Sequence, residues 1–317
     1  MKDTKGRKAD KPREIPGKGW KQVMLRVKEQ LSTDNMHIVA AGVAFYFFLA
    51  LFPTLAAIIS IYGLVTEPAS VEQHMEQLTN VLPQETHEML NERLRSISEG
   101  SSSTLGWGVA LSILLSLWSA NAGTKSLFEG VNIAYDEEED RGFLKLNGIT
   151  MLFTLGGIIV GTLGIGLVIA FPALVEHLGL PSVLQTVLSW GRWLLLAVII
   201  MSGLALIYKI GPNRDKPKFR WVSWGAGIAT VLWLIGSLLF SWYVTNFGNY
   251  NETYGSVAAV IILMLWFNLT SYIILLGAEI NSELEHQTEK DTTVGEDQPM
   301  GARGAYHADH VADGPED

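Results

Sequence analysis

Three polar residues close an otherwise apolar run: Asn121, Lys125 and Glu129, four apart in LWSANAGTKSLFEG (117–130). On a helix, residues at that spacing share a side. A second set, Asn268, Ser271, Tyr272 and Glu279, falls on one face of YGSVAAVIILMLWFNLTSYIILLGAEINSELE (254–285). An amide, an ammonium and carboxylates on facing helices could bind a polar group, or mark where each helix leaves a bilayer. Polar side chains are costly at membrane depth, so they are the leading candidates for function. The expectation is an inward-facing polar cavity of Asn121, Lys125, Glu129, Asn268, Tyr272 and Glu279. Within it, Lys125 would meet Glu279 directly or through Asn121.

Other chemistry is thinly represented. HEMLN (87–91) begins like the zinc-protease signature but has Asn91 where the second histidine ligand belongs. HADH (307–310) lies in a polar, acidic tail, and GTLGIGL (161–167) sits inside an apolar window where glycine serves helix contact. There is no Walker lysine motif and no GxSxG elbow. The seven histidines are scattered and cysteine is absent, which excludes disulfides and thiolate metal sites. The reading is of a non-enzyme that needs no metal or other cofactor.

The elements that position the polar residues follow from where charge is missing. Five windows carry no Asp, Glu, Lys or Arg: 38–65, 104–124, 146–175, 221–251 and 253–278. Each can cross the roughly 30 Å hydrocarbon core, which takes about 20 helical residues. A sixth, 193–208, suffices if the helix starts near Val187 and Arg192 snorkels to the interface. The fold class is therefore all-α: a polytopic membrane protein with six transmembrane helices in one bundle. The spans are expected at 36–65, 104–127, 146–171, 187–209, 220–247 and 254–280. A basic arm (1–35) precedes them, and an acidic, glycine-rich tail (286–317) reads as disordered. No cleavage site follows a short apolar core near the N-terminus, so the first span reads as an uncleaved anchor.

Basic residues set the orientation. Residues 1–35, the loops after spans two and four, and the tail hold 20 of the 23 Lys and Arg. Both termini are thus expected in the cytoplasm. Trp221 and Trp224 at one end of a span, and Trp242 and Tyr243 at the other, fit the two headgroup zones. Residues 69–99 on the outer side show helical apolar spacing and read as short amphipathic periplasmic helices. Lys209, Arg214, Lys216, Lys218 and Arg220 form a basic loop, read as lipid-headgroup contacts and not as a nucleic-acid site. Pro53 is a candidate hinge in span one. The glycines of spans two and three (Gly123, Gly157, Gly161, Gly164) are expected to allow close helix contact.

Four stretches together resemble the YihY/BrkB family of bacterial inner-membrane proteins: DNMHIVAAGVAFYFFLALFP, SANAGTKSLFEGVNIAY, the GPNR…WVSWGA junction, and the final span ending Gly277-Ala278-Glu279. The resemblance covers roughly residues 20–285 and implies a six-span bundle in the inner membrane. Members have carried the name ribonuclease BN, whose activity belongs to an unrelated zinc-dependent hydrolase. That chemistry needs a His/Asp-rich cluster which this sequence lacks. Other members are connected with serum resistance and envelope lipid export. The resemblance thus implies a transporter or exporter of a lipid or amphiphile, with membrane lipids as partners. The alternative is a non-transporting envelope scaffold that docks partners through its arm and tail.

Overall fold

A helix that is apolar all round has no water-facing side, and the long helices of this chain are of that kind. The computed structural model describes residues 4–65, 104–177, 180–247 and 257–312. The helices expected at 69–99 lie outside the described residues. Eight helices of seven residues or more carry the described fold. These are α1 (Gly17–Thr33), α2 (Met36–Val65), α3 (Thr104–Ala134), α4 (Phe143–Ile165), α5 (Phe171–His177), α6 (Ser182–Ile210), α7 (Phe219–Phe247) and α8 (Ala258–Glu285). A π-helical turn, Gly166–Ala170, joins α4 to α5, and a short α9 (Tyr306–Asp309) lies in the tail. No strand is named among the described residues; Pro217 and Thr293 form an isolated antiparallel bridge.

Among the described residues, five helices are long and apolar enough to cross a membrane: α2 over Met36–Leu55, α4 with its π-turn over Phe143–Val168, then α6, α7 and α8. The expected second span falls on α3, which is not among those five. Leucines such as Leu114, Leu194 and Leu238 are largely exposed on the outer surface, as lipid-facing positions require. Helix α2 continues through Pro53.

Packing centres on α2, α3, α7 and α8, with α6 flanking α7 and α4 flanking α3. Met36, Val43, Val131, Tyr208, Val222 and Leu275 lie in one buried cluster. Its tightest point is the α7–α8 crossing. A Cβ on Gly225 would stand 2.1 Å from the Gly277 carbonyl oxygen, and one on Gly277 would stand 2.4 Å from the Tyr208 hydroxyl. Tyr208 donates to the Ile274 carbonyl at 2.7 Å, and Asn281 accepts from the Gly225 amide at 2.7 Å. The glycines of α4 differ from expectation. Gly156, Gly157 and Gly161 face open space and Gly164 only touches Leu196, while Gly123 of α3 does pack tightly on Phe47 and Ala50 of α2. Glycine permits either close approach or a void, and in α4 most of it makes a void.

The segment after α8 is also not as expected. Residues 286–312 fold against the arm and the basic loop, burying Gln287, Thr288, Thr292, Arg303 and His307. Gln287 donates to the Lys5 carbonyl at 2.7 Å, and Thr288 donates to the Ala9 carbonyl at 2.8 Å. Arm and tail therefore interlock at one end of the bundle.

Candidate functional site

Two features among the described residues could do chemistry: a cleft between the long helices and a polar network where arm and tail meet. The cleft, about 390 Å³, lies between α2, α3 and α4, with Phe267 of α8 at its edge. Phe47, Leu51, Leu55, Phe153 and Ile158 give it apolar walls, and Gly157 and Gly161 supply its width. Among the described residues, no charged side chain lines it. Its polarity comes from threonines. Thr124 and Thr154 share a hydroxyl–hydroxyl hydrogen bond of 2.7 Å, and Thr154 reaches the Asn121 side-chain oxygen at 3.1 Å. Asn121 is fully buried and its Nδ2 has no partner among the described residues, which leaves a donor behind the cleft wall.

The Asn121, Lys125, Glu129 triad does not keep one environment. Each step of four residues overshoots a helical turn by about 40°, so Glu129 is rotated about 80° from Asn121. Accordingly Asn121 is buried, Lys125 half-buried and Glu129 exposed. The Lys125 ammonium sits 5.1 Å from the centre of the Trp118 ring. Glu279 instead meets the carboxyl of Asp34, the residue that ends α1. No ion pair joins Lys125 to Glu279, because Lys125 has turned with Trp118 toward the surface. Asn268 and Tyr272 are half-buried on α8, and Tyr272 packs on the main core.

The polar network is built by residues the sequence reading assigned otherwise. Arg214, expected at lipid headgroups, is fully enclosed and pairs with Glu285 at 2.7 Å. Lys218 donates to the Asp291 carbonyl at 2.9 Å and to the Asp297 carboxylate at 3.1 Å. The Lys209 ammonium lies 3.8 Å from the Phe219 ring centre, while Lys216 and Arg220 are exposed. The acidic tail thus neutralises part of the basic loop, which leaves fewer cations for lipid.

Two turns bring further groups in. Asn35 and Asp136 both adopt φ of 52°, a left-handed conformation that asparagine and aspartate tolerate better than most residues. They place Asp34 and Asp136 at the end of the bundle. The His307 Nε2 lies 3.1 Å from an Asp136 carboxylate oxygen, and its ring packs 4.7 Å from that of His286. Arg26 of α1 grips Glu283 and donates to Gln287 at 2.8 Å. Burial holds the His286 imidazole below its ordinary value, outweighing Glu283 beside it. Burial pushes Asp291 up, but donors from Gln298 and Thr293 more than offset it and hold the carboxyl below its usual range. Among the described residues, no group of three His, Asp or Glu is disposed to hold a metal ion.

The sequence profile described as Virulence factor BrkB matches residues 27–300. The chain belongs to the BrkB family. The ribonuclease-like protein YfkH of Bacillus subtilis is 31% identical over 286 residues, covering 83% of this chain and 96% of that protein. A UPF0761 membrane protein of Idiomarina loihiensis is 27% identical, covering 81% of this BrkB-family chain and 88% of the relative. Another from Haemophilus influenzae is 26% identical over 83% and 94%. No solved structure gives a significant match. The BrkB profile spans both the α2–α4 cleft and the α8 carboxylates, and it ends before His307.

Proposed function

We propose that this BrkB-family membrane protein carries a lipid or amphiphilic envelope component in the bacterial inner membrane. The observation behind the reading is the cleft: uncharged, walled by apolar side chains, and holding the Thr124–Thr154 hydroxyl pair. Such a site suits an acyl or isoprenoid chain bearing one weakly polar group, and it excludes a free ion or sugar phosphate. Cytoplasmic termini agree with the basic bias of the arm and loops. Arm and tail meet at one end, which an even number of crossings requires; α3 would supply the sixth.

The scaffold reading would use arm and tail as docking segments. Those segments are engaged with each other and with the basic loop, which favours transport. A ribonuclease role, suggested by the name of the Bacillus subtilis relative, has no support in the metal-donor groups among the described residues.

Native mass spectrometry of protein extracted in its own lipids tests the reading, with Gly157→Leu and Gly161→Phe as probes. Both glycines line the cleft and a Cβ on either meets nothing within 4 Å among the described residues, so larger side chains there narrow the cleft. A discrete bound species in the wild type that both variants lose is expected. An identical lipid profile in all three proteins sinks the proposal.

A further inference from the structure

Three glutamates line one end of α8, and they are not partnered alike. Glu283 is held by Arg26, and Glu285 by Arg214. Glu279 has no lysine or arginine within ion-pair distance among the described residues; its neighbour is another acid, Asp34. An ionised carboxylate without a counter-charge is costly to bury, and Glu279 is only 1% exposed. Two carboxyl groups can hydrogen-bond each other only when one carries a proton, since an ionised carboxylate accepts and cannot donate. A proton held between the neighbouring carboxyls of Asp34 and Glu279 would answer both the burial and the missing cation.

Two further buried polar atoms at this end of the bundle have no hydrogen-bond partner among the described residues. The Oε1 of Glu279 is buried with no hydrogen-bond partner. His307, also 1% exposed, enters from the tail, bonds Asp136 through Nε2, and keeps a buried, unpartnered Nδ1. The charged and titratable groups around the pair are Glu283 further along α8, Asp136 after α3, His307 of the tail, and through these His286 and Arg26. The acids outnumber the cations there, which favours retention of a proton. At Asp34 itself, burial raises the carboxyl above the usual aspartate value.

We propose that Asp34 and Glu279 form a proton-binding site: one proton, taken from the side where arm and tail meet, shared between two carboxyls beneath the tail. The site stands whatever the α2–α4 cleft carries. It lies where a lost proton would leave two facing carboxylates that repel, loosening α8 from the α1–α2 turn. That gives the bundle an element whose packing answers to protonation.

Infrared difference spectroscopy of the full chain in nanodiscs tests this. The wild type at neutral pH is expected to show a protonated-carboxyl C=O band that Glu279→Gln removes and Asp34→Asn shifts. Thermal unfolding followed against pH gives a second readout. Wild-type stability should fall as rising pH strips the proton, and Glu279→Gln, a mimic of the protonated acid, should flatten that dependence. Absence of the band in the wild type, or its persistence unchanged in Glu279→Gln, overturns the proposal. Should Glu279→Gln not fold, Asp34→Asn decides alone: a band unmoved by that change overturns it as well.

Discussion

Arg214 and Glu285 meet at 2.7 Å, and neither side chain touches solvent. Thr292 donates to the same carboxylate, and the Arg214 guanidinium lies 5.1 Å from the Tyr135 ring centre. One ion pair thus fastens the basic loop, the end of α8 and the start of the tail. Arg214→Ala leaves Glu285 buried and uncompensated, at a cost of about 3–5 kcal/mol. The expected result is a large fall in melting temperature and early proteolysis within residues 286–312. A melting temperature within a degree or two of wild type contradicts it.

The Lys218–Asp297 pair makes the opposite case. Asp297 is 80% exposed, so water and salt screen the pair. Asp297→Asn should cost no more than about 1 kcal/mol, and added salt should erase the difference. Comparing it with Arg214→Ala in one proteolysis assay separates a buried clamp from a surface contact.

The α7–α8 crossing tolerates no side chain. Gly225→Ala forces Cβ against the Gly277 carbonyl, a backbone group that cannot swing away. Overpacking of this kind costs about 1–3 kcal/mol or more. Gly157→Ala meets nothing within 4 Å and should stay within about 0.5 kcal/mol of wild type. Size-exclusion profiles and melting curves of the two alanine variants should diverge sharply; equal behaviour would put the crossing elsewhere.

How the tail responds to acid follows from His286. Burial lowers its folded-state value below the ordinary 6.5, so the unfolded chain binds the proton more tightly. Stability from this group is complete above 6.5 and is lost as pH falls from there through the folded value. Protease sensitivity of residues 286–312 should therefore rise on mild acidification. His286→Gln should blunt that rise; an unaltered pH profile in the variant removes His286 as the cause.

Charge-free windows made the helices legible, because hydrocarbon sets both the length and the apolarity of a span. Asn121 was legible as a buried polar group for the same reason. The partners were not. Glu279 was visible on its helix face, but Asp34 comes from the α1–α2 turn, and nothing in either segment announces the other. Tail order was hidden because composition is counted segment by segment, whereas the cations that neutralise Asp297 and Glu285 sit in the loop before α7. Glycine misled at Gly157, expected to allow close contact but opening a cleft, while the tightest contact falls at Gly225 and Gly277, which the sequence reading did not single out for packing.

The interlock of arm and tail ties the helix ends together at one face of the bundle. Hydrogen bonds from Gln287 and Thr288 to the arm, with the buried Arg214 pair beside them, act as a hoop around the helix ends at that face. The cleft begins midway along α2 and α3 and runs away from the hoop. Beside the hoop, any widening between the helices has to break those buried contacts, so the cleft is held shut at that end.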